Sequence, residues 1–223
     1  MPDTSTNAAA IQPSSRGEES RLRILRAALK VFADRGFDLA TTRRIADAAD
    51  VNLPAIKYYF EGKEGLYLAC ARYIVDRYRR TVGPDVFRIA SEVDEGLLPD
   101  AARARLKDVV RLLVGLGTSE ADAPLWTGFV LREMSERGPA FDILYDGLWS
   151  PGVQLTANLV AQVRGRPRAN EADKVRALLL QASLTAFSST APVSFQFLDW
   201  PERGGVHTDV LFAQLDAEID AIC

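Results

Sequence analysis

The side chains best suited to chemistry lie together between Thr41 and Leu66, in TTRRIADAADVNLPAIKYYFEGKEGL. Arg43, Arg44, Lys57 and Lys63 bring positive charge, and Tyr58 and Tyr59 bring phenol hydroxyls. Guanidinium, ammonium and phenol groups hold phosphate oxygens, which positions a protein on a duplex without reading it. Lys57 can also donate to guanine O6 and N7. Leu53, Pro54 and Ala55 have no polar tip and can only touch thymine methyls or fit groove shape. The expected chemistry is recognition of DNA, with candidate contacts Thr42, Arg43, Arg44, Asn52, Leu53, Pro54, Ala55, Lys57, Tyr58, Tyr59 and Lys63.

Two short helices must position these groups. Thr41-Thr42 open the first, which carries Ile45, Ala46 and Ala49 on one face, and Asp50-Val51-Asn52 form the break. The second runs from Leu53 to Phe60, with Asn52 as its N-cap and Pro54 in its first turn, where a missing N–H costs nothing. Ile56 and Phe60 are four apart and face inward, leaving Lys57, Tyr58 and Tyr59 around the outer face. A short helix with basic, phenolic and small outward residues suits a major groove. Arg43 and Arg44 begin the first helix, near where it would cross the DNA backbone. Lys63 opens the next helix, so its charge and that helix's N-terminal amides are expected to meet one phosphate.

Catalysis has little to stand on, and no catalytic or metal-binding residues are expected. The chain has one histidine, His207, and two cysteines, Cys70 and Cys223, spaced too far apart for a zinc site or disulfide scaffold. Both cysteines read as free thiols. Gly115-Leu116-Gly117 lacks the third glycine and preceding strand of a dinucleotide loop, and no phosphate-binding GxxxxGK[ST] occurs. No cofactor is implied. No apolar stretch reaches the ~18 residues of a membrane span, and the first residues do not read as a secretory signal. No membrane association is expected, and a reducing cytoplasm is the expected location.

Net charge is −3, but it is unevenly divided. Residues 1–80 hold 14 Lys/Arg against 10 Asp/Glu, and the remainder holds 13 against 20. A basic first third on an acidic body suits a protein that presents one end to polyphosphate.

Along the chain, residues 1–19 read as a disordered leader, in which Arg16 either reaches a minor groove or is solvated. Ser20 is expected to cap a helix with the stripe Leu22, Leu25, Ala28, Leu29 and Phe32, ended by Gly36, with Phe37 and Leu39 tucked under the next helices. A connecting helix is expected over 63–82, stopped by Gly83-Pro84. Helical periodicity continues near 100–117 and 122–137, from Phe141 to Gly165 with a possible kink at Pro151, after the cap Asn170, and after Thr208. The stretch 191–205 reads as irregular or short helix. The expected fold is all-α: a helix-turn-helix unit over 20–66 and a larger helical effector-binding and dimerisation domain over 83–223.

In that larger domain, Trp126, Phe129, Tyr145, Trp149 and Phe187 either line an effector pocket or pack an ordinary core. Arg132 and Glu133 either orient a ligand's polar group or pair with a neighbouring helix. Leu178-Leu179-Leu180 are consecutive, so the helix near 171–190 must cover both a core and a second surface. Leu178, Leu179 and Ala182, with Leu211 and Leu215 of the last helix, are the candidate homodimer interface.

The segment Thr41–Leu66 resembles the TetR family of bacterial transcriptional regulators. Thr41-Thr42, Ile45-Ala46, Ala49, Val51, Ile56, Tyr58-Tyr59-Phe60, Lys63-Glu64 and Leu66 carry the likeness, as does the preceding ILRAALKVFADRGFDLATT. The resemblance implies an all-helical homodimer with an N-terminal three-helix DNA-binding unit and a C-terminal domain that senses a small molecule. It also implies DNA contacts from Arg43, Leu53, Pro54, Ala55, Lys57, Tyr58, Tyr59 and Lys63. The chain departs from the pattern in two places. Asp50 stands where Gly is usual, a position asparagine and aspartate tolerate in left-handed geometry. Ala55-Ile56-Lys57 replaces a common Thr-Leu-Tyr, so the reading surface differs. NLPAIKYYFEGKEGLY and LREMSERGPAFDILYDGLWSPG also resemble the CecR-type branch of that family. The expected function is a regulator, a repressor released from an inverted-repeat operator in double-stranded DNA by a small-molecule effector. The alternative is a helical dimeric ligand-binding or adaptor protein without operator binding.

Overall fold

The computed structural model describes residues 15–116, 123–187, 191–200 and 208–223, and all regular structure among these residues is helical. The chain divides into two compact units, Met1–Cys70 and Ala71–Cys223.

The first unit is built from α1 (Ser15–Leu39), α2 (Thr42–Ala49), α3 (Leu53–Phe60) and the first turns of α4 (Lys63–Glu95). Leu25, Ala28, Leu29 and Phe32 recur at helical spacing and are all buried, together with Ile24 and Val31. Ile45, Ile56, Phe60 and Leu66 complete the core, each such side chain contributing roughly 1.5–3 kcal/mol. Tyr67 stands edge-on to Phe32 and Phe37, with ring centroids 4.7 and 4.9 Å away. Burial pushes the Cys70 thiol up, and its Sγ donates to the Leu25 carbonyl at 3.9 Å. This thiol packs as a small apolar group.

Three expectations about this unit need correction. Helix α1 begins at Ser15, so the leader reading fails for 15–19, while residues 1–14 lie outside the described residues. Gly36 does break the helix, at φ 74°, but one more turn follows it. Leu22 is exposed and Leu39 is 74 % exposed, because the core stripe turns toward Ile24 and only Phe37 folds inward.

The second unit comprises the rest of α4, then α5 (Pro99–Leu116), α6 (Ala123–Glu136), α7 (Phe141–Leu144), a π-helical turn (Tyr145–Trp149), α8 (Ser150–Val163), α9 (Glu171–Thr185), α10 (Ala191–Phe197) and α11 (Thr208–Asp220). Helix α4 does not stop at Gly83-Pro84 but runs through Pro84 for 33 residues. An interior proline costs roughly 3 kcal/mol. Past it, Ile89 and Val93 are buried against Leu106, Val110, Leu155, Leu159 and Leu180, and that burial outweighs the local penalty.

Pro151 likewise does not kink a helix. It sits in the first turn of α8, and the residues before it widen into the π-turn, where the Ser150 N–H reaches back to the Tyr145 carbonyl. The extra residue accommodates a ring that has no N–H to give. Gly147, inside this turn, lies so close to α4 that a Cβ would stand 2.6 Å from a Val75 methyl.

Buried polar groups tie this unit together. Gln162, 4 % exposed, donates to the Val93 carbonyl at 2.7 Å and accepts from Leu97 N at 3.1 Å, joining the end of α4 to α8. Arg103 donates to the carbonyls of Ile219 and Ile222 at the C-terminal end of α11. Asp173 is fully buried, forms a capping box with Asn170 and pairs with Arg164 and Arg166. Burial pushes its carboxyl up, but the Arg166 hydrogen bond, the Asn170 N–H and both guanidinium charges outweigh it and hold the group below the ordinary range.

Candidate nucleic-acid interface

Local chemistry sets the shape of the α2–α3 pair. Thr41 is extended and its hydroxyl accepts from Arg44 N at 3.3 Å, which starts α2. Asp50 ends α2 in left-handed geometry at φ 51°, the conformation the family's usual glycine would take. Asn52 caps α3 by accepting from Ala55 N at 3.2 Å. Ile56 and Phe60 face the core, and the Arg21 guanidinium lies 5.4 Å from the Phe60 ring centroid. Glu61 closes α3 at φ 65°, and α4 begins so close behind that a Cβ on Gly65 would stand 1.9 Å from the Phe60 carbonyl oxygen. Only glycine fits there, and this contact sets how α4 leaves α3.

With that frame fixed, the outward face can be read residue by residue. Arg43 and Arg44 are exposed on α2, Thr42 is half-buried, and Leu53, Pro54, Lys57 and Tyr58 project from α3. Among the described residues, no acidic side chain pairs with those of Arg43, Arg44 or Lys57. Tyr58 is 82 % exposed, and its ring stands edge-on to Tyr59 at 4.9 Å. Leu53, Pro54, Lys57 and Tyr58 together line a shallow surface cavity of about 490 Å³.

The remaining expected contacts are differently placed. Tyr59 is half-buried, so only part of it stays on the outer face, and Ala55 is half-buried as well. The Asn52 side-chain oxygen is occupied by its capping bond. Lys63 does not hold its ammonium free: Nζ donates to the Asp38 carbonyl at 3.1 Å and lies 4.5 Å from the Phe37 ring centroid. No local signal announces those partners, because they come from the end of α1.

In the second unit the expected effector residues do not share one environment. Phe129 is buried and Trp126 is half-buried, with the Arg77 guanidinium 5.9 Å from its ring. Glu133 is buried and accepts from Ala140 N, so it closes the α6–α7 connection. Arg132 pairs with Glu136 one turn on, at 2.8 Å. Tyr145 is 44 % exposed and stacks on Phe141, Trp149 is half-buried in the π-turn, and Phe187 packs beside Trp200 at 6.0 Å. A cavity of about 500 Å³ is lined instead by Thr81, Val82, Asp85 and Arg88 of α4 and Asp108, Arg111, Leu112 and Gly115 of α5.

Three residues outside the expected set converge near Gly152. Gln181 Nε2 donates to Thr156 Oγ1 at 3.3 Å, Thr156 donates to the Gly152 carbonyl at 2.8 Å, and a Cβ on Gly152 would lie 3.9 Å from the Tyr78 hydroxyl. Burial pushes the Tyr78 phenol up. They come from α4, α8 and α9, so sequence spacing could not have joined them.

On α9, Leu178 and Leu179 are 51 % and 63 % exposed and Ala182 is exposed, while Leu180 is buried. Leu211 and Leu215 are not on an outer face: both are buried in this chain's own core, since α11 turns its apolar side toward α5. His207 lies outside the described residues.

Comparison with known proteins places this geometry. Residues 24–70 match the family profile described as bacterial regulatory proteins, tetR family, and residues 102–215 match the C-terminal domain of the HTH-type transcriptional dual regulator CecR. The chain is 33% identical over 156 residues to the HTH-type transcriptional dual regulator CecR of Shigella flexneri, covering 67% of each protein. It is 36% identical over 92 residues to the HTH-type transcriptional repressor AcnR of Corynebacterium glutamicum, covering 41% of this chain and 43% of that one. In fold it is similar to a TetR-like transcriptional regulator from Rhodococcus sp. RHA1, with a TM-score of 0.61 at 20% identity, over 93% of this chain and 96% of the other.

Proposed function

This chain belongs to the TetR family of bacterial regulatory proteins and is a DNA-binding regulator, not an enzyme; from that premise we propose that it is a homodimeric repressor of an inverted-repeat operator, released by a small-molecule effector. The observation that carries the reading is the outward face of α2 and α3, with Arg43, Arg44 and Lys57 exposed and, among the described residues, without an acidic partner, beside Leu53, Pro54 and Tyr58. Arg43, Arg44 and Tyr58 serve as phosphate contacts and Lys57 reads guanine. An adaptor that never met DNA would have no use for such a face.

The two-fold partner covers the apolar side of α9, where Val175, Leu178, Leu179 and Ala182 are exposed. Such symmetry sets two recognition helices roughly 34–36 Å apart, on successive major grooves. Among the described residues no helix is long and apolar enough to cross a membrane, and the protein acts in the cytoplasm, where its operator is. The effector binds within the second unit, which holds the polar group of Tyr78, Thr156 and Gln181 around Gly152 and a cavity between α4 and α5. Helix α4 begins in one unit and ends in the other, so a ligand that prefers one position of α4 changes operator affinity.

The direction of control follows AcnR, which is named a repressor, while the name of CecR favours a second reading in which one bound dimer represses some genes and activates others. Selection from a random duplex library at two salt concentrations tests the core of the proposal. A salt-sensitive inverted repeat is the expected product, and a folded dimer that enriches nothing overturns it. Leu179→Glu is expected to impair dimerisation, and a folded, fully dimeric variant moves the interface elsewhere. Equal operator affinity with and without a verified ligand removes the effector from the mechanism.

A further inference from the structure

We propose that the cavity between the end of α4, α8 and the start of α9 binds a small phosphorylated polyol of sugar-phosphate size. Arg168 and Lys174 hold the phosphate, and Asp94, Gln154 and Asn158 hold the hydroxyls. The cavity measures about 380 Å³ and these five side chains line it, a volume within the range of small-ligand sites. It lies wholly in the second unit. Gln154 and Asn158 stand on a different face of α8 from Gly152 and Thr156, so the site is separate from the polar group there. The inference goes beyond the operator reading and does not rest on it.

The charges point to an anion. Arg164 and Arg166 both pair with the buried Asp173. Arg168, between α8 and α9, and Lys174, in the first turn of α9, are exposed and have no acidic partner among the described residues. Both stand near the positive end of the α9 dipole, which repels them. The Asn170–Asp173 capping box already occupies backbone amides at that end, so the two side chains are what an anion meets. A phosphomonoester carries about −1.5 to −2 charge near neutrality, which matches two cations.

The α4 and α8 walls suit hydroxyls. Gln154 Nε2 donates to Asn158 Oδ1 at 3.1 Å, which leaves the Gln154 carbonyl oxygen to accept and the Asn158 NH₂ group to donate. The Asp94 carboxylate is exposed and has no cationic partner among the described residues, so it accepts from a hydroxyl and repels a phosphate. This polarity orients the ligand, with its phosphate toward α9 and its hydroxyls toward α4 and α8.

The test is calorimetric titration of the full-length protein, at constant ionic strength, with glucose 6-phosphate, ribose 5-phosphate, glucose and inorganic phosphate. At least one of the two sugar phosphates is expected to bind about tenfold or more tightly than glucose or inorganic phosphate, and to raise the melting midpoint. Arg168→Gln with Lys174→Gln is expected to weaken that binding on the order of a hundredfold, since two charge-assisted bonds are lost. Without ligand this variant should melt no lower than wild type, because neither cation has a partner to lose among the described residues. Asn158→Ala is expected to lose roughly fivefold for the sugar phosphate and nothing for inorganic phosphate. Arg43→Ala with Arg44→Ala should leave binding intact, which separates this cavity from the DNA-contacting face. Inorganic phosphate binding as tightly as the sugar phosphates overturns the polyol reading. Sugar-phosphate affinity that survives in the folded Arg168 and Lys174 variant, or no binding of either sugar phosphate to wild type, overturns the site itself.

Discussion

Along α4, α5 and α11, cation after cation rests on a carboxylate. Arg88 donates to Glu92 at 3.0 Å, Arg105 joins Glu92 to Asp108, Lys107 reaches Asp220 at 2.8 Å and Arg111 reaches Asp216 at 2.6 Å. The hydrogen bond from Arg105 pulls the Glu92 carboxyl below its ordinary range, and the same bond raises the Arg105 guanidinium. On α2 and α3, Arg43, Arg44 and Lys57 are exposed, as Arg88 and Arg111 are, but among the described residues none of them has an acidic partner. Residue type is the same in both places, and the difference lies in what the fold sets opposite it. A cation already seated on its own protein's carboxylate gains little from a phosphate, while an unpaired one on a short outward helix keeps its full attraction.

The largest effect is expected where the comparison is sharpest. Arg43→Ala with Arg44→Ala should lower affinity for selected DNA on the order of a hundredfold near 0.1 M salt. The slope of log affinity against log salt should flatten by about 3 to 4 for a dimer, since each lost phosphate contact removes roughly 0.9. Unfolding free energy should stay within about 0.5 kcal/mol of wild type, because both side chains are exposed and have no partner among the described residues. An unchanged salt slope would show that the unpaired cations do not meet phosphate, and the contrast would lose its meaning.

What the residues disclosed in advance was local. Thr41-Thr42 opening α2, Asn52 as a cap, Asp50 in left-handed geometry, and Ile56 with Phe60 turned inward all follow from chemistry within a few residues, and the structure has each of them. What they hid depended on distant partners. Pro84 reads as a stop until Ile89 and Val93 find a core assembled from later helices. Lys63 reads as a phosphate contact until Asp38, 25 residues earlier, offers its carbonyl. Leu211 and Leu215 look able to face either a partner or their own chain, and only the packing of α11 on α5 decides. The polar group around Gly152 combines α4, α8 and α9, which no helical period connects.

A paired charge that is buried should matter most to folding, and Asp173 tests this. Asp173→Asn is expected to cost roughly 2 kcal/mol, less than a fully buried pair because Arg164 and Arg166 are partly exposed. The folded-state carboxyl lies below the ordinary value, so its contribution is complete above about pH 4 and fades as pH falls from there toward the depressed value. Urea unfolding of wild type and variant should therefore show a constant gap near neutrality that closes in acid. A gap that widens in acid would reverse the sign of the argument.

Lys63 sharpens the comparison by lying in the DNA-binding unit while behaving as a paired cation. Lys63→Met is expected to lose about 1 kcal/mol of stability through the Asp38 bond and the Phe37 ring contact. Its salt slope on DNA should match wild type. A flattened slope with unchanged stability would instead return Lys63 to the phosphate contacts, beside Arg43.

Arg111→Ala should do least. Its guanidinium bonds Asp216 at 2.6 Å and lies 5.5 Å from the Phe212 ring centroid, yet the side chain is 41% exposed. Exposed pairs contribute about 0–1 kcal/mol, and salt screens them. A shift in melting midpoint of a few degrees at most is expected, together with unaltered DNA affinity. The informative failure is a change in DNA affinity, since Arg111 also lines the cavity between α4 and α5. An effect on the operator from a residue that touches no DNA in this scheme would mark that cavity, rather than the aromatic residues of α6, as the place where an effector acts on α4.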